Sequence, residues 1–155
     1  MSLFPAYVAG RAERSDVLEY TPSQVSGETL ITGDLCVWDD SNNWVERAGT
    51  NPTAIIGISE GSSEAGRVLT PNGKIPIRVL NDRVIVALSS STTLTEASHR
   101  QQEYGITRAS GGQWQLDTSK TGGNARVLVV DVDETNQIAF CRFLAEFLAG
   151  DGIDS

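Results

Sequence analysis

Apolar and polar positions alternate over short stretches along most of this chain, at the period of two that marks β-strands. Lys74-Ile75-Pro76-Ile77-Arg78-Val79-Leu80 and Val84-Ile85-Val86-Ala87-Leu88 are two such runs across an Asn81-Asp82 turn, a spacing that predicts a hairpin. Thr29–Thr32 reads as a short strand that turns through Gly33-Asp34 into Leu35–Asp39, and Trp44–Ala48 returns across the loop Asp40-Ser41-Asn42-Asn43. Thr53–Ser59 reads as a further strand, with Gly57 at a bulge or close-approach position. Tyr104–Arg108 and Gln113–Asp117 flank Ala109-Ser110-Gly111-Gly112, where the glycines can take up positive φ. Val127–Val132 turns through Asp133–Asn136 into Ile138–Phe143, after which the spacing fits strand or helix equally. Thr95–Arg100 has the pattern of one helical turn, and the polar stretch Gly61–Gly66 reads as a loop. Nine or ten short strands broken by frequent turns predict an all-β fold, a compact β-barrel or sandwich of short antiparallel strands.

The first twenty residues differ. Leu3, Phe4, Tyr7 and Val8 form a short apolar stretch interrupted by Pro5, and Arg11–Asp16 follows without helical periodicity. This reads as an extended N-terminal arm (residues 1–20) on a β body (21–149), with a disordered tail (150–155). Leaving large apolar side chains in water costs about 1.5–3 kcal/mol each. Those of the arm therefore pack either on their own domain or on a neighbouring chain.

With 155 residues the chain is long enough for one domain with its own core. A net charge of −8 repels phosphate backbones and anionic membranes, so neither nucleic acid nor a membrane is an expected partner. No apolar run reaches the ~20 residues that span a bilayer, and the N-terminus lacks the pattern of a secretory signal. Synthesis in a cytoplasm is expected. Cys36 and Cys141, far apart in apolar surroundings, read as buried reduced thiols, with a disulfide as the alternative.

Little catalytic chemistry stands out. His99 is the only histidine and reads as an exposed loop residue, without the positioned partner that a general base requires. Leu116-Asp117-Thr118-Ser119 echoes the aspartic-protease turn, but Ser119 replaces its glycine. Asp131 and Asp133 share a strand face and could offer oxygens to a hard cation, as could Asp39-Asp40, yet a solvated turn accounts for both. Trp38, Trp44 and Trp114 could stack on sugar rings, although packing in a core or subunit contact accounts for them as well. No catalytic residue, metal site or cofactor is assigned.

The apolar arm Leu3-Phe4-Pro5-Ala6-Tyr7, the turn-then-strand opening Ile31–Trp38, the Asn-rich loop leading through Trp44–Ala48 to Ala54–Ser59, and the apolar C-terminal segment together resemble the capsid decoration (cement) proteins of tailed bacteriophages. The similarity is one of layout over most of the chain, without a signature motif. It implies a non-enzymatic homo-oligomer, a trimer or dimer, on the outer surface of the virion. Such a protein binds the major capsid protein of an expanded head, bridges neighbouring subunits and stabilises the shell. Leu3, Phe4, Tyr7 and Val8 would then be the partner-binding residues, since an extended arm can add to a sheet edge and buried aromatics dominate interfaces. Two alternatives differ in class: a carbohydrate-binding or adhesion module using the tryptophans, and a small β-barrel nucleotide hydrolase, for which no phosphate-binding loop is visible.

Overall fold

The computed structural model describes residues 3–9, 17–23, 29–64, 67–68 and 73–149. Its strands are β1 (Tyr7–Val8), β2 (Val17–Tyr20), β3 (Leu35–Asp39), β4 (Trp44–Arg47), β5 (Ile55–Ser59), β6 (Ser63–Glu64), β7 (Arg67–Val68), β8 (Ile75–Val79), β9 (Val86–Ser90), β10 (Glu103–Arg108), β11 (Trp114–Asp117), β12 (Val127–Asp133) and β13 (Ile138–Phe143). The expected all-β class holds. A single helical turn, α1 (Glu96–His99), interrupts the strands, capped by the Thr95 side chain, which accepts from the Ser98 amide.

Five strands close a barrel in the order β9-β11-β10-β12-β13 and back to β9. Neighbours are antiparallel except β9 and β11, which run parallel. β1 lies beside β9 as well, pairing Tyr7 with Ala87 and Val8 with Val86. A second antiparallel sheet has the order β2-β8-β5-β3-β4. Just beyond β2, the Ser23 amide donates to the Val45 carbonyl and the Val45 amide to the Thr21 carbonyl, so this sheet curls until its two edges meet.

Alternation along the strands sorts side chains between two apolar clusters. Leu35, Ile55 and Ile58 face the barrel core with Val86, Leu88, Ile106, Leu116, Val127 and Val129. Cys36, Ile56, Ile75 and Ile77 face a smaller cluster inside the curled sheet, with Val45 and Leu30. β5 is buried on both faces because it serves both clusters.

Two expected elements are different in the structure. The Asn81-Asp82 turn forms, with Asn81 Oδ1 accepting from the Arg83 amide at 2.8 Å. It closes no hairpin, however: β8 pairs with β2 and β5, while β9 enters the barrel. Ile75 and Ile77 fill one cluster and Val84, Val86 and Leu88 the other, so burial pulls the two strands apart. Thr29–Thr32 is not a strand, because the Asp34 side chain and backbone bond back to Ile31 and hold a turn. In the expected loop Gly61–Gly66, Ser63–Glu64 instead form β6, which pairs with β7 just beyond it as a short ribbon. The remaining hairpins, β3–β4, β10–β11 and β12–β13, form as expected.

Two glycines are required by this arrangement. A Cβ on Gly57 would lie 2.2 Å from the Arg78 carbonyl oxygen, beside the register shift at Cys36/Val37, as its reading as a close-approach position anticipated. Gly33 has φ +92°, and a Cβ there would strike Pro5 at 2.8 Å, so its absence lets the N-terminal segment lie down on the body.

Candidate interaction surface

The N-terminal segment is seated on its own body by its backbone and small side chains. Ala6 is buried, Val8 packs against the barrel core, and the Ala9 amide donates to the Ile85 carbonyl at 2.7 Å. The period of two then turns Tyr7 outward. Tyr7 is 46% exposed and Leu3 44%, while Phe4 is half-buried with its ring 5.9 Å from that of Tyr7. On β2, at the edge of the second sheet, Val17 and Leu18 are 39% and 48% exposed. These four are the exposed large hydrophobic side chains among the described residues, and all precede the first strand hairpin. Of the four expected partner-binding residues, Leu3 and Tyr7 present themselves to solvent, and Phe4 and Val8 do so only in part.

A buried polar node joins the two sheets. Asp34 is fully buried, and its Oδ1 accepts from Arg108 Nε at 2.9 Å and from Trp114 Nε1 at 3.0 Å. Oδ2 accepts from the Ile31 amide at 3.0 Å, and Arg47 Nε lies 3.5 Å away. Arg47 comes from β4 and Arg108 and Trp114 from the β10–β11 hairpin, so one carboxyl group ties the curled sheet to the barrel. Sequence reasoning read Gly33-Asp34 only as a turn. The available signal was the arginines themselves, each set in a strand where its neighbours face a core.

Arg126 forms a second node. Its guanidinium donates to the carbonyls of Pro52 (2.7 Å), Asn51 (3.0 Å), Gly123 (3.0 Å) and Ala125 (2.8 Å), and sits 3.8 Å over the Phe147 ring. Burial lowers its pKa from the ordinary arginine value, opposed by the nearby Glu146. This anchors the C-terminal turn that follows β13, where strand gives way to a 3-10 turn over Ala145–Phe147.

The other sequence candidates are spread over the molecule, each engaged locally. His99 lies on α1, half-buried rather than exposed: its Nδ1 accepts from the Thr95 amide at 3.0 Å and its ring packs 5.8 Å from Tyr104. Asp117 accepts from the amide and hydroxyl of Ser119, closing a turn. Asp131 pairs with Arg100 at 2.5 Å, which lowers its pKa, and Asp133 is held low by hydrogen bonds from Asn136. Asp39 is lowered likewise, chiefly by the Asn42 side chain. Among the described residues, no three His, Cys, Asp or Glu side chains come together as metal ligands.

The three tryptophans do not share a platform. Trp114 is buried on Asp34, Trp38 meets Tyr20 edge-on at 6.1 Å in the smaller cluster, and Trp44 sits opposite Asp39, on the other face of the sheet from Trp38. Cys36 and Cys141 are buried, one in each cluster and not bridged to each other, and burial pushes the Cys141 thiol pKa up.

Compared with known proteins, the chain matches no protein-family model and no curated protein.

Proposed function

We propose that this chain is a structural protein of a tailed-phage virion. In this reading it docks as a trimer or dimer on the outside of an expanded head, contacts the major capsid protein and holds neighbouring subunits together. The observation that carries the reading is the placement of Leu3, Tyr7, Val17 and Leu18. Among the described residues the other large apolar groups are buried or half-buried, whereas these four stand in water, all within the first eighteen residues. Isolated exposed apolar residues are ordinary, but their concentration in one segment suits a partner surface. Tyr7 lies on β1 and Val17 and Leu18 on β2, and extended strands can present alternate side chains to a neighbouring surface. The resemblance in layout to capsid decoration proteins supplies the kind of partner. The residues with chemical potential, from His99 to Asp131, are tied up in local turns and ion pairs, which agrees with a scaffold role.

Several weak contacts from one oligomer add through effective concentration, and binding only the expanded form stabilises it by mass action. Cosedimentation with expanded and unexpanded shells tests the proposal. The expected result is saturable binding to expanded shells alone, with a raised shell-disruption temperature. Equal binding to both forms, or to neither, would refute it.

A further inference from the structure

Although the chain carries a net charge of −8, one surface pocket of about 220 Å³ has no carboxylate in its wall. Arg108, Lys120, Thr50 and Thr107 line it, with Trp114 and Ile106 beneath. The local charge is positive. Asp34 sits behind the wall, but it faces two guanidiniums, those of Arg47 and Arg108. Asp117, close in sequence to Lys120, bonds Ser119.

The cations keep donors in reserve. Arg108 turns Nε and Nη2 toward Asp34, at 2.9 and 3.5 Å, which leaves Nη1 without a protein partner among the described residues. Lys120 gives one of its three N–H groups to the Ile106 carbonyl at 3.1 Å. The hydroxyl of Thr50 likewise has no protein partner among the described residues. Asp34 fixes the plane of the Arg108 guanidinium and the Ile106 carbonyl fixes the Lys120 ammonium, so both are held before any ligand arrives. Two oriented cations beside the Thr50 hydroxyl match an oxyanion that carries more than one negative charge.

We propose that this pocket binds phosphate, either free or as the terminal group of a small phosphomonoester, held by Arg108 and Lys120 with Thr50 as a hydroxyl donor. This site is independent of the capsid reading and of the exposed apolar segment.

The test uses the full chain. Trp114 lines the pocket and is one of only three tryptophans, so its indole N–H signal in a nitrogen-correlated NMR spectrum reports directly on occupancy. Inorganic phosphate and glycerol phosphate are titrated separately against sodium chloride of matched ionic strength. Saturable movement of the Trp114 signal by phosphate alone assigns a free-anion site, and movement by both assigns a site that also takes monoesters. Lys120→Met, which keeps the aliphatic stem, should weaken half-saturation about tenfold, as loss of one charge-assisted donor implies. Lys74→Met, with the same charge change outside the pocket, should leave it unaltered. The three indole signals of each variant verify that it is folded. Movement matched by chloride, or equal half-saturation in Lys120→Met and the parent, would overturn the proposal.

Discussion

β9 and the N-terminal segment lie side by side as paired strands, yet they treat water in opposite ways. All five residues of β9 are buried, because the strand has barrel neighbours on both sides and both of its faces are covered. The N-terminal segment borrows the edge of β9 for the backbone of β1 and buries only the small Ala6 before it and the inner face of Val8, leaving Tyr7 outside. The difference separates two uses of an apolar side chain. In β9 it pays the entropic cost of folding; in the N-terminal segment it adds little to the fold and remains available to a partner. Changes in the body should therefore cost stability, and changes on the outer face of the segment should cost association.

The largest stability effect is expected at Asp34. Asp34→Ala leaves two guanidiniums, the Trp114 indole N–H and the Ile31 amide without their acceptor, a loss of about 3 kcal/mol. A urea unfolding midpoint close to that of the parent would break the picture of this node as the tie between the sheets. Gly57→Ala follows, since its Cβ must push the Arg78 carbonyl away. It should cost about 1–3 kcal/mol in the same assay. An unchanged midpoint there would mean that β5 and β8 can separate freely.

The thiols sharpen the contrast without altering stability. Cys36 and Cys141 should resist a thiol-specific disulfide reagent at pH 8 in the native protein and react fully in denaturant, because both are buried and burial disfavours the Cys141 thiolate. Rapid native reaction of either would show its cluster to be open.

The smallest effect belongs to Arg100, which meets Glu96 and Asp131 in full solvent. Asp131 has its pKa lowered from the ordinary 3.8, so the stability it contributes is present above that value and is lost as pH falls below it. Arg100→Ala should therefore lie slightly below the parent near neutral pH, and the gap should close in the acid range. A gap that widens with acid would reverse the sign of the coupling.

Much of the fold is legible in the residues because hairpins are local. β3–β4, β10–β11 and β12–β13 each combine alternation with turn residues that bond their own backbone, as Asp39 does to Ser41 and Asn42. The Asn81-Asp82 turn carries the same local signs, but whether two strands pair depends on which core each one fills. Ile75 and Val86 belong to different clusters, and apolarity alone does not say which. The Asp34 node was hidden for a related reason: Arg47 and Arg108 lie 13 and 74 positions from it, and strand alternation places arginines on a face without naming the carboxyl group behind it. Leu3 and Tyr7 were legible as apolar groups near a terminus. That they face out while Ala6 faces in follows from the register with β9, which is a long-range fact.

The double variant Leu3→Ser/Tyr7→Ser tests the central claim most directly, with unfolding midpoint and cosedimentation with expanded shells measured on one preparation. Each exposed substitution should shift stability by no more than about 0.5 kcal/mol. The account predicts an unfolding midpoint within that margin together with loss of shell binding. Undiminished binding by a folded double variant would contradict it.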